Sequence, residues 1–168
     1  MSQPKEIFVD AKRCMACHSC KLACAVAHSK SKSFYAELAN RQQPKSRLYV
    51  EWVESGNSVP VLCRHCEEAP CMHTCIAGAI ARSEDNAVVT DADKCIGCWT
   101  CVMVCPYGVI GRHIEEKKAY RCDRCPDLEL PACVSTCPTQ ALTYDTVSGF
   151  SKTVRQKAAR EIDSRREI

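Results

Sequence analysis

Residues 95–106 read Cys-Ile-Gly-Cys-Trp-Thr-Cys-Val-Met-Val-Cys-Pro, and the spacing of these cysteines decides the fold. Two residues separate Cys95 from Cys98 and Cys98 from Cys101, and three more precede Cys105. A loop of this kind can bring three sulfurs to three corners of one cubic four-iron cluster, while the turn beyond carries the fourth sulfur to a neighbouring cluster. The stretch therefore predicts an iron-sulfur site.

Three other groups of four cysteines repeat this spacing with small changes. The first keeps it and has Ala25 where the proline stood, the second has four residues in its middle gap, and the fourth has seven there and ends in Pro138. The four groups are Cys14, Cys17, Cys20 and Cys24; Cys63, Cys66, Cys71 and Cys75; Cys95, Cys98, Cys101 and Cys105; and Cys122, Cys125, Cys133 and Cys137. Together they use every cysteine of the chain.

The composition points to a metal-stabilised chain. Of 168 residues only 6% are aromatic and 16 are cysteine, so disulfides, zinc or iron-sulfur clusters must supplement a small apolar core. The N-terminus has no signal-peptide segment and no stretch approaches the ~20 apolar residues of a membrane span, which predicts a reduced, cytoplasmic chain. The net charge of +3, which leaves thiolates out, does not favour nucleic acid.

An internal repeat organises the four groups. Residues 87–95 match residues 6–14 in residue type, and the predicted strand after Cys75 resembles the one after Cys137. Groups two and three then form one complete two-cluster unit, and groups one and four form a second unit that encloses it. We predict an α+β fold of two pseudo-symmetric bacterial-type 2×[4Fe-4S] ferredoxin units, one nested in the other.

The predicted boundaries follow from this repeat. The outer unit takes residues 5–28 and 106–145, the inner unit 63–105, an insertion 29–62, and a basic tail 146–168. We expect a hairpin in the insertion, with strands at residues 47–54 and 59–62 around a turn at 55–58. We also expect strands at residues 6–10, twice within 76–90, and within 139–145, and helical segments at 21–27 and 33–40. Val154, Ala158 and Ile162 predict a solvated helix in the tail.

Nesting also predicts the ligand sets, because the fourth cysteine of each group crosses to the cluster of its mate. The sets are Cys14, Cys17, Cys20 and Cys137 for cluster one; Cys63, Cys66, Cys71 and Cys105 for cluster two; Cys95, Cys98, Cys101 and Cys75 for cluster three; and Cys122, Cys125, Cys133 and Cys24 for cluster four. An alternative pairs group one with two and three with four. It leaves the strand at residues 6–10 without the counterpart that its repeat implies.

Four such groups resemble the four-cluster ferredoxin-like iron-sulfur subunits of molybdenum oxidoreductases, formate hydrogenlyases and hydrogenases. Some members of that family have tryptophan at a cysteine position and a three-iron cluster, but Trp99 here displaces no cysteine. The resemblance therefore implies four [4Fe-4S] clusters. Ile76 departs from the proline that relatives usually have after the corresponding cysteine, and the membrane helix that some relatives carry at the C-terminus is not found here.

Residues 14–29 and 59–71 are most similar to CooF-type ferredoxin subunits of carbon monoxide dehydrogenase. This implies a chain that relays electrons from carbon monoxide dehydrogenase to a hydrogenase or to a flavin- or NAD-dependent oxidoreductase. It would catalyse no reaction by itself and would meet a membrane only through a partner complex. Two alternatives stay open: an iron-sulfur subunit of a molybdenum oxidoreductase or formate hydrogenlyase, and a zinc-binding interaction module.

The remaining polar residues carry weaker predictions. Since sixteen cysteines leave no vacant ligand position, we expect His18 and His65 to face solvent or hydrogen-bond rather than to bind iron. His28, His73 and His113 follow no pattern. We expect the basic residues beside the cysteines to be solvated in loops, where they offset cluster charge; these are Lys12, Arg13, Arg64, Lys94, Arg121 and Arg124.

Overall fold

The fold, given by a computed structural model, is described for residues 3–39, 44–54 and 56–164. Within these ranges, eight strands form four two-stranded antiparallel sheets. The strands are β1 Lys5–Val9, β2 Leu48–Trp52, β3 Ser58–Leu62, β4 Ile80–Arg82, β5 Val88–Thr90, β6 Gly111–His113, β7 Lys118–Tyr120 and β8 Leu142–Thr146. The helices are α1 Ser19–Ala27, α2 Phe34–Ala39, α3 Pro70–His73, α4 Thr100–Met103, α5 Ala132–Ser135 and α6 Val147–Ser164, with a 3-10 turn at Ala11–Arg13.

Strand β1 pairs with β8, so the strand before the first cysteine group lies beside the strand after the fourth. The register runs from Lys5 opposite Thr146 to Val9 opposite Leu142. Strands β4 and β5, which connect groups two and three, pair in the same sense, with Ile80 opposite Thr90. The two sheets even end in the same way, because the amide of Asp10 bonds the carbonyl of Ala141 at 2.8 Å and that of Asp91 bonds the carbonyl of Ala79 at 2.7 Å.

The apolar core is divided into two small clusters, each built around thiols. One combines Leu48, Val50, Leu62 and Leu142 with the buried Cys20, Cys24, Cys122 and Cys133. The other combines Ala69, Ile80, Val88, Ile110 and Ala119 with Cys71 and Cys101. Each cluster therefore contains cysteines from two groups, the first and fourth or the second and third.

The predicted hairpin in the insertion is present, and β2 and β3 align Leu48 with Leu62 and Trp52 with Ser58. Ser55 of its predicted turn lies outside the described residues. A further hairpin, β6 with β7, is not among the predicted elements. Its strands have only three residues each, which is too short to show the alternation that identifies a strand.

The helices agree with the predictions at α1 and α2. Helix α1 begins two residues earlier than expected, at Ser19, and α2 ends at Ala39, while the predicted Asn40 lies outside the described residues. The three four-residue helices α3, α4 and α5 were not predicted, because single turns are too short to show helical periodicity.

The C-terminal segment forms one helix, α6, with no buried residue among those described. The prediction of a solvated helix is confirmed, although the helix begins at Val147, directly after β8. Its first turn is held by Phe150, whose ring stacks on Phe8 with the centroids 4.0 Å apart. Arg165, Arg166 and Glu167 of the predicted tail lie outside the described residues. Within the described ranges, no helix combines the length and the apolar character that crossing a bilayer requires.

Candidate iron-sulfur sites

The four cysteine loops share one backbone device. The residue before the second cysteine has a positive φ in every group: 57° at Ala16, 47° at His65, 70° at Gly97 and 64° at Arg124. This left-handed conformation is uncommon outside glycine, so its recurrence at four equivalent positions reflects the turn that the loop must make. The turn bends the chain back on itself between the first and second cysteine.

A helix follows each turn at the same point of the motif. Helices α1, α3, α4 and α5 all begin one residue before the third cysteine of their group. Only in α1 does the helix also contain the fourth cysteine, Cys24. In the other three groups the single helical turn ends before the fourth cysteine, whose sulfur is thereby carried away from the loop.

Three cavities are each lined by four thiols that come from two groups. One cavity is lined by Cys14, Cys17, Cys20 and Cys137. A second is lined by Cys63, Cys66, Cys71 and Cys105. A third is lined by Cys75, Cys95, Cys98 and Cys101. In each cavity three cysteines of one loop meet the fourth cysteine of the predicted mate.

The remaining four thiols are also close together. Cys24, Cys122, Cys125 and Cys133 are all buried, and α1 packs against α5. Burial raises the pKa of the Cys133 thiol well above its usual range, and the thiols of Cys122, Cys24 and Cys125 act in the same direction. The structure thus brings together the members of all four predicted sets.

Backbone amides point at several of these sulfurs. The amides of Ala79 and Ala141 lie 3.3 and 3.2 Å from the sulfurs of Cys75 and Cys137, at equivalent positions of the repeat. The amide of Ala119 is 3.4 Å from Cys95 Sγ, and that of Arg47 is 3.3 Å from Cys24 Sγ. Such hydrogen bonds favour the charged thiolate, which is the form that binds a metal.

The pKa values of the thiols differ with their surroundings. Hydrogen bonds with Ser19 lower the pKa of Cys17, and those with Thr100 lower the pKa of Cys98. In contrast, burial raises the pKa of Cys20 to about 11 and that of Cys122 to about 12. All sixteen cysteines are free of disulfides. A buried thiolate is stable only beside positive charge, so these donor sets fit a thiolate-ligated metal centre.

His28 is a site residue that the sequence analysis missed. Its Nε2 lies 3.0 Å from a carboxylate oxygen of Asp123 and 3.9 Å from the sulfur of Cys125, and its Nδ1 lies 3.7 Å from the sulfur of Cys24. Burial opposes the charged imidazole, but the bonds to Asp123, Cys125 and Cys24 outweigh it and raise the pKa of His28 to about 12. Arg47 also pairs with Asp123. The spacing of Cys24 and His28, one helical turn, was the available signal.

The structure bears on the roles predicted for two histidines and for the basic residues beside the cysteines. His18 is exposed to solvent and His65 accepts a hydrogen bond from the Val88 amide at 2.9 Å, the two surroundings that we predicted for these side chains. Burial and the charge of Arg124 lower the pKa of His65 to about 3. The prediction of solvated loop residues is wrong for Arg121 and Arg124, which are only 2% and 5% exposed. Arg121 is enclosed beside Cys71 of the second group, and Arg124 is enclosed beside Glu6 and Asp85.

Comparison with known proteins defines the family. Residues 55–147 match the 4Fe-4S dicluster domain, a match that contains twelve of the sixteen cysteines. The chain is 37% identical to an "Iron-sulfur protein" of Rhodospirillum rubrum over 93% of this chain and 90% of that protein. The chain therefore belongs to the 4Fe-4S dicluster family of iron-sulfur proteins.

Further relatives are named as electron carriers. The chain is 34% identical to the thiosulfate reductase electron transfer subunit PhsB of Salmonella typhi, over 90% of this chain and 84% of that protein. It is 35% identical to the electron transport protein HydN of Escherichia coli K12, over 81% and 85% of the two chains. Neither name includes carbon monoxide dehydrogenase.

The turn before Cys98 generates a prediction. A Cβ added to Gly97 would lie 2.4 Å from the backbone oxygen of Lys117, whereas one added to Gly78, also at positive φ, meets nothing within 4 Å. Gly97→Ala should therefore destabilise the protein by more than the roughly 1–2 kcal/mol expected for the left-handed conformation alone. Gly78→Ala should show only that conformational cost. Anaerobic denaturant unfolding followed by circular dichroism measures both, and equal losses would contradict the steric role of Lys117.

Proposed function

We propose that this chain is an electron conduit that holds four [4Fe-4S] clusters in the four predicted sets of cysteines. Clusters of this kind accept and release single electrons at potentials from about −700 to +450 mV, tuned by hydrogen bonds, charge and solvent exposure. The chain's own contribution is to hold thiolates at fixed positions and to supply amides to their sulfurs. The observation that carries the proposal is that four thiols from two distant groups line each of three cavities.

The nested arrangement is part of this proposal. It is supported by the pairing of β1 with β8, because that sheet joins the segment before group one to the segment after group four. It is further supported by equivalent amide-to-sulfur contacts at Cys75 and Cys137, which are the fourth cysteines of their groups. In each contact the amide belongs to the alanine four residues later. On this basis, residues 5–28 with 106–145 enclose the inner unit of residues 63–105.

The relative positions of the thiols support a route through the chain. Cys63 of the second set packs against the apolar cluster that contains Cys24, Cys122 and Cys133 of the fourth set. We infer that the fourth and second sites are neighbours where the two units meet. Of the sixteen cysteines, all within the described ranges, only Cys17 and Cys98 are exposed, and they belong to the first and third sites. We infer that electrons enter and leave the chain at these two ends.

For the partner, we propose carbon monoxide dehydrogenase as the donor and a hydrogenase or a flavin- or NAD-dependent oxidoreductase as the acceptor. The support is the resemblance of residues 14–29 and 59–71 to CooF-type subunits. The second candidate, an iron-sulfur subunit of a molybdenum oxidoreductase or formate hydrogenlyase, is favoured by the similarity to PhsB and HydN, which are named as electron-transfer proteins. In either case the chain would lie in the cytoplasm or on a partner complex.

The cluster content is the first test. Protein isolated without oxygen should be brown and should contain about sixteen iron atoms and about sixteen acid-labile sulfides per chain. Elemental analysis with sulfide determination measures this. Zinc in place of iron, with the protein still folded, would instead establish the zinc-binding module. About half this content would contradict the count of four.

Paired cysteine variants test the ligand sets, with the number of intact four-iron clusters counted by Mössbauer spectroscopy. In the nested arrangement Cys17 and Cys137 serve one cluster, so C17A, C137A and the double variant should each leave about three intact clusters. The matched double variant C98A with C137A, which also removes one exposed thiol, should leave about two. The alternative arrangement, in which Cys137 serves the cluster of Cys98, predicts the reverse for the two double variants.

The partner is tested by isolating tagged protein anaerobically from its native cells and identifying what co-purifies by mass spectrometry, with untagged cells as the control. We expect carbon monoxide dehydrogenase, and we expect carbon monoxide to reduce the clusters when that enzyme is added to the purified chain. A molybdenum subunit in its place, with no reduction by carbon monoxide, would contradict the proposed donor and favour the second candidate.

A further inference from the structure

Arg121 is a buried cation that has no carboxylate partner in the part of the chain that the structure describes. It is 2% exposed and is one of the largest fully buried side chains of the protein. Its Nε donates to Thr90 Oγ1 at 3.0 Å, and its Nη1 donates to the sulfur of Cys71 at 2.9 Å. Within the described residues Arg121 forms no ion pair with a carboxylate, and its Nη2 has no hydrogen-bond partner.

Its neighbours are the thiols of the inner unit. Arg121 lines the cavity of Cys63, Cys66, Cys71 and Cys105. Thr90, which accepts from its Nε, lines the neighbouring cavity of Cys75, Cys95, Cys98 and Cys101, but within the described residues no hydrogen bond joins Arg121 to a sulfur of that third site. Arg121 therefore contacts the second site directly and the third only through Thr90.

A second donor lies at the same cavity. The Val88 amide donates to His65 Nδ1 at 2.9 Å, which leaves the ring proton of the neutral imidazole on Nε2. That Nε2 is buried and has no hydrogen-bond partner among the described residues, and His65 lines the cavity with Arg121. Two unpaired buried donors at one cavity are costly unless an acceptor is bound there.

The other buried arginine differs. Arg124 is 5% exposed, but its Nη2 lies 3.8 Å from a carboxylate oxygen of Glu6, and none of its recorded hydrogen bonds goes to a sulfur. At the third site, the exposed Cys98 accepts from the neutral hydroxyl of Thr100 at 3.6 Å. A buried, uncompensated guanidinium in contact with a thiol thus distinguishes the second site from its inner neighbour.

Resting on the proposed function, we propose that Arg121, assisted by His65, stabilises the added electron at the second site, so that the cluster held by Cys71 is reduced before the cluster held by Cys98. Reduction adds one negative charge, and a charge-assisted hydrogen bond strengthens as its acceptor becomes more negative. The same charge acts less on the third site, because no hydrogen bond reaches its sulfurs from Arg121. Arg121 is a positioning residue for charge and does not itself carry the electron.

The test is an anaerobic redox titration followed by electron paramagnetic resonance on the full chain, after iron and sulfide have been measured. Signals are assigned with C71S and C98S, each of which changes one ligand of one cluster. Arg121→Gln should lower the equilibrium ratio of electron occupancy, second site over third, by about tenfold or more, as expected for loss of a charged hydrogen bond. Arg121→Lys keeps the charge and should give a smaller loss.

Arg124→Gln is the matched control, since it removes a second buried guanidinium whose hydrogen bond goes to a backbone carbonyl and not to a sulfur, and it should leave that ratio within about threefold of the original. An unchanged ratio in Arg121→Gln with full iron content would overturn the inference and leave the proposed function intact. If Arg121→Gln loses iron, the inference is tested instead by the order in which the clusters of the unmodified protein are reduced. Reduction of the Cys98 cluster before the Cys71 cluster would overturn the inference. Absence of iron from the unmodified protein would instead contradict the proposed function.

Discussion

The structure depends on stabilising negatively charged thiolates at positions that are buried from water. Seven of the sixteen cysteines are buried, and burial alone raises the pKa of thiols such as Cys122 and Cys133. A charged sulfur in such surroundings needs a cation or a metal beside it. The apolar side chains form only two small clusters, and both are built around these sulfurs. The metal centres are therefore expected to hold the fold together as much as they serve its function.

The chain closes on itself so that each cysteine loop receives a sulfur from far away. Strand β1, the first in the chain, pairs with β8, the last. The equivalent pair, β4 with β5, lies in the middle of the chain. Each sheet ends with an aspartate amide on an alanine carbonyl, at Asp10 and at Asp91. The same backbone hydrogen bond thus ends a sheet between segments that are distant in sequence and a sheet between segments that are close in sequence. Backbone hydrogen bonds specify it, which is why the repeat tolerates different side chains.

Charge distribution gives the four sites different surroundings. The first and third are reached by solvent at Cys17 and Cys98, while the fourth is enclosed by His28, Asp123 and neighbouring elements. Around the second site, Arg121 supplies positive charge from inside the protein. Because solvent exposure and local charge both tune cluster potentials, sites with the same ligands need not have the same affinity for an electron. This is the physical basis on which one polypeptide can hold several similar centres with distinct roles.

The sequence by itself determined the cysteine groups, the repeat and most strands, because cluster loops require fixed spacings and strands such as β1 and β5 are rich in β-branched or aromatic residues. The sets of cysteines that share a cluster stay a prediction from the sequence, whereas only the tertiary structure decided that β6 and β7 pair. The burial of Arg121 and the partners of His28 could not be derived from sequence. A charged side chain next to a cysteine looks the same in a chain whether it faces water or another loop, and only packing between distant segments distinguishes the two.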